Sequence, residues 1–157
     1  MKTYSFVQAV RAAAFSCALG SLGIAATTAY AALGDIAAMP AGAVTRAVSG
    51  GAARVVSYVD ASGTSVSEYV AGGTGTVFAY TWQGPAQPNL EILLGRYAPD
   101  WRSAAAALHA AGGDDLHAAR VDGSQVVVET GGHMRAYAGR AWLPAALPVG
   151  IGEGDLQ

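Results

Sequence analysis

The most distinctive polar cluster of the sequence is Gly131-Gly132-His133-Met134-Arg135, which begins two residues after Glu129. A histidine can act as a general base near neutral pH, and a carboxylate close to it can orient its ring. A hydrolase that uses His133 with Glu129 is therefore one hypothesis. The simpler interpretation is a tight Gly-Gly turn followed by a strand on which His133, Arg135 and Tyr137 share one face. We favour this structural interpretation.

Residues suited to metal binding or nucleophilic catalysis do not occur at the required spacings. No two of His109, His117 and His133 are separated by two or four residues, as zinc ligands on one strand or helix often are. Asp115 and His117 could chelate together, but they follow a Gly-Gly pair where solvated polar residues are expected. No serine lies in a Gly-x-Ser-x-Gly motif, and the glycines at 72–75 precede a strand-like run instead of the helix of a phosphate loop. We predict no metal and no cofactor.

Three more side chains are candidates for a functional surface. Glu68 lies in a β-rich run, and we expect it to face solvent or to pair with an arginine such as Arg54 on the next strand. Trp82 and Trp142 could form an aromatic platform for a glycan, in which case one of them would be exposed in a groove. A domain without disulfides also needs such residues in its core. We expect both tryptophans to be core residues.

The N-terminus has the pattern of a secretory signal peptide. Lys2 and Arg11 precede an uncharged apolar stretch that ends in the A-x-A cleavage site Ala29-Tyr30-Ala31. A retained membrane anchor is the alternative, but the stretch has too few strongly apolar residues to favour insertion. We predict cleavage after Ala31, a periplasmic or secreted protein, and no stable membrane anchor after cleavage.

Cleavage would change the chemistry available to the chain. Cys17 and Lys2 are the only cysteine and the only lysine, and both would leave with the signal peptide. The mature chain would then have no disulfide, no thiol nucleophile and no lysine for a Schiff base. Loss of Lys2 and Arg11 changes the formal net charge from −2 to −4. A mildly acidic chain without a basic stripe is not expected to bind nucleic acid.

Hydrophobic periodicity and turn residues predict the elements that position these side chains. Residues 32–53 are rich in Ala and Gly without a sustained period, which indicates a tether with at most a short helix or strand. Turn residues then separate β-rich runs, and residues 151–157 form a short acidic tail. The predicted strands are 54–59, 64–70, 76–82, 117–121, 124–130 and 133–142, with turns at 60–63, Asp122-Gly123 and Gly131-Gly132.

The region between the two groups of strands is helical. Asn89 is a favourable N-cap, and apolar residues recur at helical spacing from Leu90 to Tyr97. Pro99 should end this helix and Asp100 should begin another, which gives a helical hairpin or a kinked helix. We predict one α+β domain at 54–150, with two antiparallel three-stranded meanders flanking the central helical hairpin in the order βββ-α(α)-βββ. A small closed barrel with the helices plugging or flanking it is the alternative.

Three stretches of the sequence carry a resemblance to a known family. They are Ala32-Leu33-Gly34, the segment from Ser67-Glu68-Tyr69-Val70 to Leu93-Leu94-Gly95-x-Tyr97, and the segment from Gly131-Gly132-His133-Met134-Arg135 to Leu143-Pro144. They resemble a family of small secreted proteobacterial proteins catalogued as domain of unknown function 2844, over nearly the whole mature chain. The resemblance implies export and a single domain. The family has no assigned activity, so it supplies no catalytic residue.

These observations favour a non-enzymatic accessory protein of the cell envelope that binds another envelope or periplasmic protein. The hypothesis rests on export, on the small single domain and on the lack of a complete catalytic constellation. A module that binds an envelope glycan or a small apolar molecule is the first alternative, and the hydrolase is the second. The candidate functional surface consists of His133, Arg135, Glu129, Glu68, Trp82 and Trp142.

Overall fold

A computed structural model describes residues 30–113 and 118–157 of the chain. The predicted signal peptide lies outside the described residues except for Tyr30 and Ala31, and so does the predicted pair of Asp115 and His117. Within the described ranges, no helix is both long enough and apolar enough to cross a membrane.

Seven antiparallel strands form one sheet, on which a single helical segment packs, so the fold class is α+β. The lateral order of the strands is β1-β2-β3-β4-β7-β6-β5. The strands are β1 Val44–Val48, β2 Ala53–Val59, β3 Ser65–Ala71, β4 Val77–Gly84, β5 Ala118–Asp122, β6 Val127–His133 and β7 Ala136–Trp142.

The predicted arrangement of two meanders flanking the helices is wrong. β4 pairs with β7 from Ala79 opposite Trp142 to Gly84 opposite Tyr137, which joins both groups of strands into one sheet. If β4 and β7 were separate, each would leave a row of backbone N–H and C=O groups without partners. The closed barrel is also wrong, because β1 and β5 are the two edges of an open sheet.

Residues 32–53, expected to form a tether, contribute to both the sheet and the core. β1 pairs with β2 along its whole length. Leu33 is fully buried between the sheet and the helical segment. The sequence gives no alternating pattern for β1 because it is an edge strand with mostly exposed side chains on both faces.

The turn of the last hairpin was predicted at Gly131-Gly132, and this is wrong because both glycines are inside β6. The turn is Met134-Arg135, whose φ angles are 48° and 68°. Two successive residues with positive φ match the twist of strands joined by a two-residue turn. Gly132 is needed inside the strand, since its φ is 123° and a Cβ there would collide with the backbone of β7.

The helical segment consists of α1 (Leu90–Leu94), a 3-10 turn (Gly95–Tyr97) and α2 (Ala98–Ala110). These pieces follow one another directly, so the predicted helical hairpin is wrong. Pro99 does not end a helix but lies in the first turn of α2. A backbone N–H at this position would have no acceptor within the helix, so proline loses no hydrogen bond there. The prediction for Asn89 is confirmed, because its Oδ1 accepts a hydrogen bond of 3.3 Å from the backbone N–H of Ile92.

Asp100 was expected to begin a helix, but its carboxylate binds the loop between β5 and β6. Oδ1 accepts hydrogen bonds from the N–H and the hydroxyl of Ser124, at 3.1 and 2.7 Å. Oδ2 accepts from the N–H groups of Gln125 and Val126, at 2.8 and 3.3 Å. The bond from Gln125 is the largest cause of the lowered pKa of Asp100. The helical segment thereby fixes the shape of a four-residue loop in the sheet.

The two faces of the sheet are covered by different parts of the chain. The first face packs against the helical segment, and the second is partly covered by the C-terminal residues Leu147, Ile151 and Leu156. Residues 151–157, expected to be an acidic tail, are therefore docked on the sheet. The hydroxyl of Tyr69 donates to the carbonyl oxygen of Gln157 at 2.6 Å and accepts from its N–H at 2.9 Å. The described residues leave the rest of the second face open.

Candidate functional site

The open part of the second face forms a groove with a volume of about 800 Å³. Residues from β3 to β7 line it, together with Leu156 and Gln157 from the C-terminal segment. Its volume lies in the range of sites that bind a small molecule. Many of the lining side chains are small or carry a hydroxyl or amide: Ser65, Ser67, Thr81, Gln83 and Ala138.

Strand register determines the floor of the groove. Ser67 on β3 lies opposite Thr81 on β4, and the Oγ atom of Ser67 lies 2.9 Å from that of Ser57 on β2. Side chains alternate along a strand, so the bulky neighbours of these residues point to the helical face. The short hydroxyl side chains leave room above the sheet and can both donate and accept hydrogen bonds.

Three charged side chains on neighbouring strands line the other part of the groove, and we call them the arginine-glutamate cluster: Arg120, Glu129 and Arg140. They lie side by side because Glu129 on β6 is the register partner of both arginines. Arg120 Nη1 donates to Glu129 Oε1 at 2.7 Å, and Arg140 Nε donates to Oε2 at 2.6 Å. Both guanidinium groups lie over the Trp142 ring, 5.3 and 5.1 Å from its centroid.

The charges of the cluster largely compensate each other. The hydrogen bond from Arg140 is the main reason that the pKa of Glu129 lies below its usual value, and Arg120 lowers it further while burial opposes both. Glu129 is thus a carboxylate at neutral pH and a weak base. Arg120 also contacts Asp122 at 3.0 Å and Glu153 at 3.4 Å. A groove with such paired charges favours an uncharged polar ligand over a strongly charged one.

Replacing Glu129 by glutamine should reduce the free energy of unfolding at pH 7 by about 1–2 kcal/mol, because two charge-assisted hydrogen bonds are lost. The folded pKa of Glu129 is lowered, so its contribution is complete above the unfolded pKa of about 4.3 and is lost as pH falls through the folded value. Urea unfolding curves at pH 7 and at acidic pH should therefore show a difference between wild type and variant that shrinks on acidification.

Glu153 provides the matched control for this measurement. Its side chain is half exposed and only 3.4 Å from Arg120, so Glu153→Gln should cost less than about 0.5 kcal/mol. Equal urea midpoints for Glu129→Gln and wild type at pH 7 would contradict the assigned ion pairs.

Neither tryptophan provides an exposed platform. Trp82 is 3% exposed and Trp142 is 1% exposed. The expectation that both are core residues is confirmed. An aromatic glycan platform would need one of them exposed in a groove, and neither is. Trp142 instead lies beneath the two arginines of the arginine-glutamate cluster.

His133 and Arg135 lie at the end of the last hairpin, away from Glu129. His133 is four residues from Glu129 along β6, which corresponds to about 13 Å. Arg135 is in the turn, so the predicted common face of His133, Arg135 and Tyr137 on one strand is wrong. Among the residues that the structure describes, no group of three His, Cys, Asp or Glu side chains could hold a metal ion.

We expected Glu68 to face solvent or to pair with an arginine such as Arg54, and the structure shows neither. Its side chain is fully buried on the helical face, where Tyr58 and Tyr80 donate to it. The register partner of Arg54 is Val70, two residues beyond Glu68. Glu68 and Glu129, the two acidic residues of the predicted surface, therefore lie on opposite faces of the sheet.

Sequence reasoning missed Arg120 and Arg140, the residues that neutralise Glu129. A two-residue turn at Asp122-Gly123 would have placed Gln125 opposite Arg120. The loop has four residues, so Asp122 pairs with Val127 and Arg120 pairs with Glu129. The opposite charges of Arg120, Glu129 and Arg140 could have indicated the cluster if the loop length had been known.

These features define an α+β domain with an open, polar groove on one face of an antiparallel sheet. The family model described as Protein of unknown function (DUF2844) matches residues 18–156. The chain therefore belongs to this family, as its resemblance predicted. No curated protein and no solved structure matches the chain.

Proposed function

We propose that this protein is an exported, non-enzymatic binding domain of the cell envelope, and that its groove takes an uncharged polar segment of a partner protein. The observation that carries this proposal is the open groove of about 800 Å³ whose charged lining residues are already paired. Export is supported by the basic, apolar and A-x-A pattern that ends at Ala31.

The lining of the groove favours a polypeptide as the ligand. An extended segment offers alternating N–H and C=O groups, and hydroxyl and amide side chains such as Thr81 and Gln83 can bond to either kind. The small side chains of Ser67 and Ala138 leave space for a backbone close to the sheet. A strongly charged ligand would have to break the ion pairs of the arginine-glutamate cluster before it gained any contact.

The hydrolase hypothesis has less support. Glu129 is held as a carboxylate by two arginines, which makes it a weak base, and His133 is about 13 Å away along the strand. A glycan would find hydroxyl and amide partners in the groove, but it would find no exposed tryptophan ring at Trp82 or Trp142. We therefore prefer a polypeptide to a glycan.

In-cell photo-crosslinking followed by mass spectrometry tests the proposal. A photoreactive amino acid at Thr81 in the groove should yield one or a few specific crosslinked proteins of the envelope. The same residue at Ser103, which is exposed on α2, is the matched control and should not yield them. Equal crosslinking from both positions, or only carbohydrate adducts at Thr81, would contradict a protein ligand in the groove.

A further inference from the structure

The second acidic residue of the predicted surface, Glu68, is fully buried, yet its carboxylate is incompletely bonded. Oε1 accepts hydrogen bonds from the hydroxyls of Tyr58 and Tyr80, at 3.2 and 3.3 Å. Oε2 has no hydrogen-bond partner among the described residues. Burial raises the pKa of Glu68, and the two tyrosine hydroxyls oppose this effect. A carboxylate buried in this way is unfavourable unless a cation or further donors compensate it.

One of these two donors is shared with the backbone at the predicted cleavage site. The hydroxyl of Tyr80 also donates to the carbonyl oxygen of Ala31. A tyrosine hydroxyl has a single proton, so Tyr80 cannot donate fully to Ala31 and to Glu68 at the same time. With the Ala31–Ala32 peptide bond intact, the two acceptors compete for one donor.

The chain that follows the cleavage site is fixed independently of the residues before it. The N–H of Leu33 donates to the carbonyl oxygen of Leu93 at 2.8 Å, and the N–H of Gly34 donates to that of Val77 at 2.8 Å. The Cβ of Ala32 occupies the space that a side chain at Gly95 would need. Since helix, sheet and 3-10 turn all hold this segment, removal of Ala31 should leave Ala32 in place.

The backbone nitrogen of Ala32 is connected to Glu68 through two hydrogen-bonded oxygen atoms. In a trans peptide, this nitrogen lies about 2.2 Å from the carbonyl oxygen of Ala31. That oxygen accepts the bond from Tyr80, whose hydroxyl lies 3.3 Å from Glu68 Oε1. The Ala31 carbonyl oxygen and the Tyr80 hydroxyl thus link the Ala32 nitrogen to the buried carboxylate.

We propose that Glu68 is the binding site for the α-ammonium group that signal-peptide cleavage creates at Ala32. Hydrolysis of the Ala31–Ala32 bond consumes one water molecule, and the new carboxylate of Ala31 leaves with the signal peptide. The Ala32 nitrogen becomes an ammonium group and forms an ion pair with Glu68. Since the carbonyl oxygen of Ala31 has left, the Tyr80 hydroxyl can donate to Glu68 alone. This inference rests on the export and cleavage that we propose above.

The proposal gives cleavage a structural consequence. Before cleavage, Glu68 is a buried carboxyl group that has no cation beside it among the described residues, and cleavage supplies one that can form a charge-assisted hydrogen bond with it. Tyr30, whose ring stacks on Tyr58 with 5.3 Å between centroids, leaves together with Ala31. The new ion pair would thus replace contacts that the signal peptide makes in the precursor.

Amine labelling of the processed protein tests this site. Lys2 is the only lysine, so the α-amine is the only primary amine in a chain that begins at Ala32. We expect a succinimidyl ester to label it about tenfold more slowly near pH 7 than in a variant with Gly-Ser inserted between Ala31 and Ala32, the factor for one unit of pKa. The insertion keeps cleavage after Ala31 but moves the amine away from Glu68, and Tyr30 is absent from both processed chains.

A second variant tests the role of the carboxylate. Glu68→Gln should raise the labelling rate of the Ala32 amine to that of the insertion variant, whereas Glu91→Gln, at an exposed residue of α1, should leave it slow. If Glu68→Gln does not fold, the labelling rates of the wild type and the insertion variant still test the ion pair. Equal labelling rates in the wild type and the insertion variant would overturn the ion pair alone. An intact mass that begins at Met1 would overturn both the cleavage and the ion pair.

Discussion

Replacing Trp142 by alanine should reduce the free energy of unfolding by about 3–5 kcal/mol, the largest effect that we expect from a single substitution in this chain. Trp142 is 1% exposed and is the register partner of both Ala79 on β4 and Val127 on β6. Its ring also supports the guanidinium groups of Arg120 and Arg140. Urea unfolding followed by far-UV circular dichroism measures the change.

Trp101 is the matched control for Trp142. It lies on α2 and is only partly buried against the helical core. Trp101→Ala should therefore cost less, about 1–2 kcal/mol, because part of its apolar surface is already in water. Similar losses for the two variants would contradict the central position of Trp142 in the sheet.

Replacing Gly139 by alanine should destabilise the protein by about 1–3 kcal/mol through overpacking. Gly139 on β7 lies opposite Trp82 on β4, and the Trp82 ring fills the space where a Cβ would be. The same Cβ would lie 2.5 Å from the carbonyl oxygen of Glu129. Neither the ring nor the backbone of β6 can move far, because both belong to the continuous sheet and its core.

Gly73 is the control for this substitution. A Cβ at Gly73 has no neighbour within 4 Å, and its φ lies outside the left-handed region. Gly73→Ala should be neutral or stabilise the protein by less than about 1 kcal/mol. Urea unfolding of both variants measures the difference. Equal midpoints for Gly139→Ala and Gly73→Ala would contradict the close contact with Trp82.

Local patterns predicted most of the elements but not how they join. The runs at 54–59, 64–70 and 76–82 became β2, β3 and β4 because turn residues and β-branched residues act within a few positions of each other. The pairing of β4 with β7 depends on residues about 60 positions apart, and no local pattern encodes such a choice. β1 was missed for a different reason, because its edge position removes the alternation that would have identified it.

The candidate site was predicted in part. Glu129 does line the groove, but the partner suggested by proximity in the sequence, His133, lies farther along the same strand. The actual partners, Arg120 and Arg140, come from two other strands and depend on the register of two hairpins. An error in the length of one loop shifts the whole set of side chains that face each other, so the cluster could not be derived from the sequence.

The open edges of the sheet have a consequence for how the protein behaves at high concentration. Among the described strands, β1 has a partner on one side only, and its middle residue is Arg46. If two copies paired antiparallel along β1 about its centre, the two Arg46 side chains would come directly opposite each other, where like charges repel. A charged residue at this position is one way in which sheet proteins avoid growing edge to edge into aggregates. We therefore expect Arg46 to hinder the addition of a second molecule's strand at this edge.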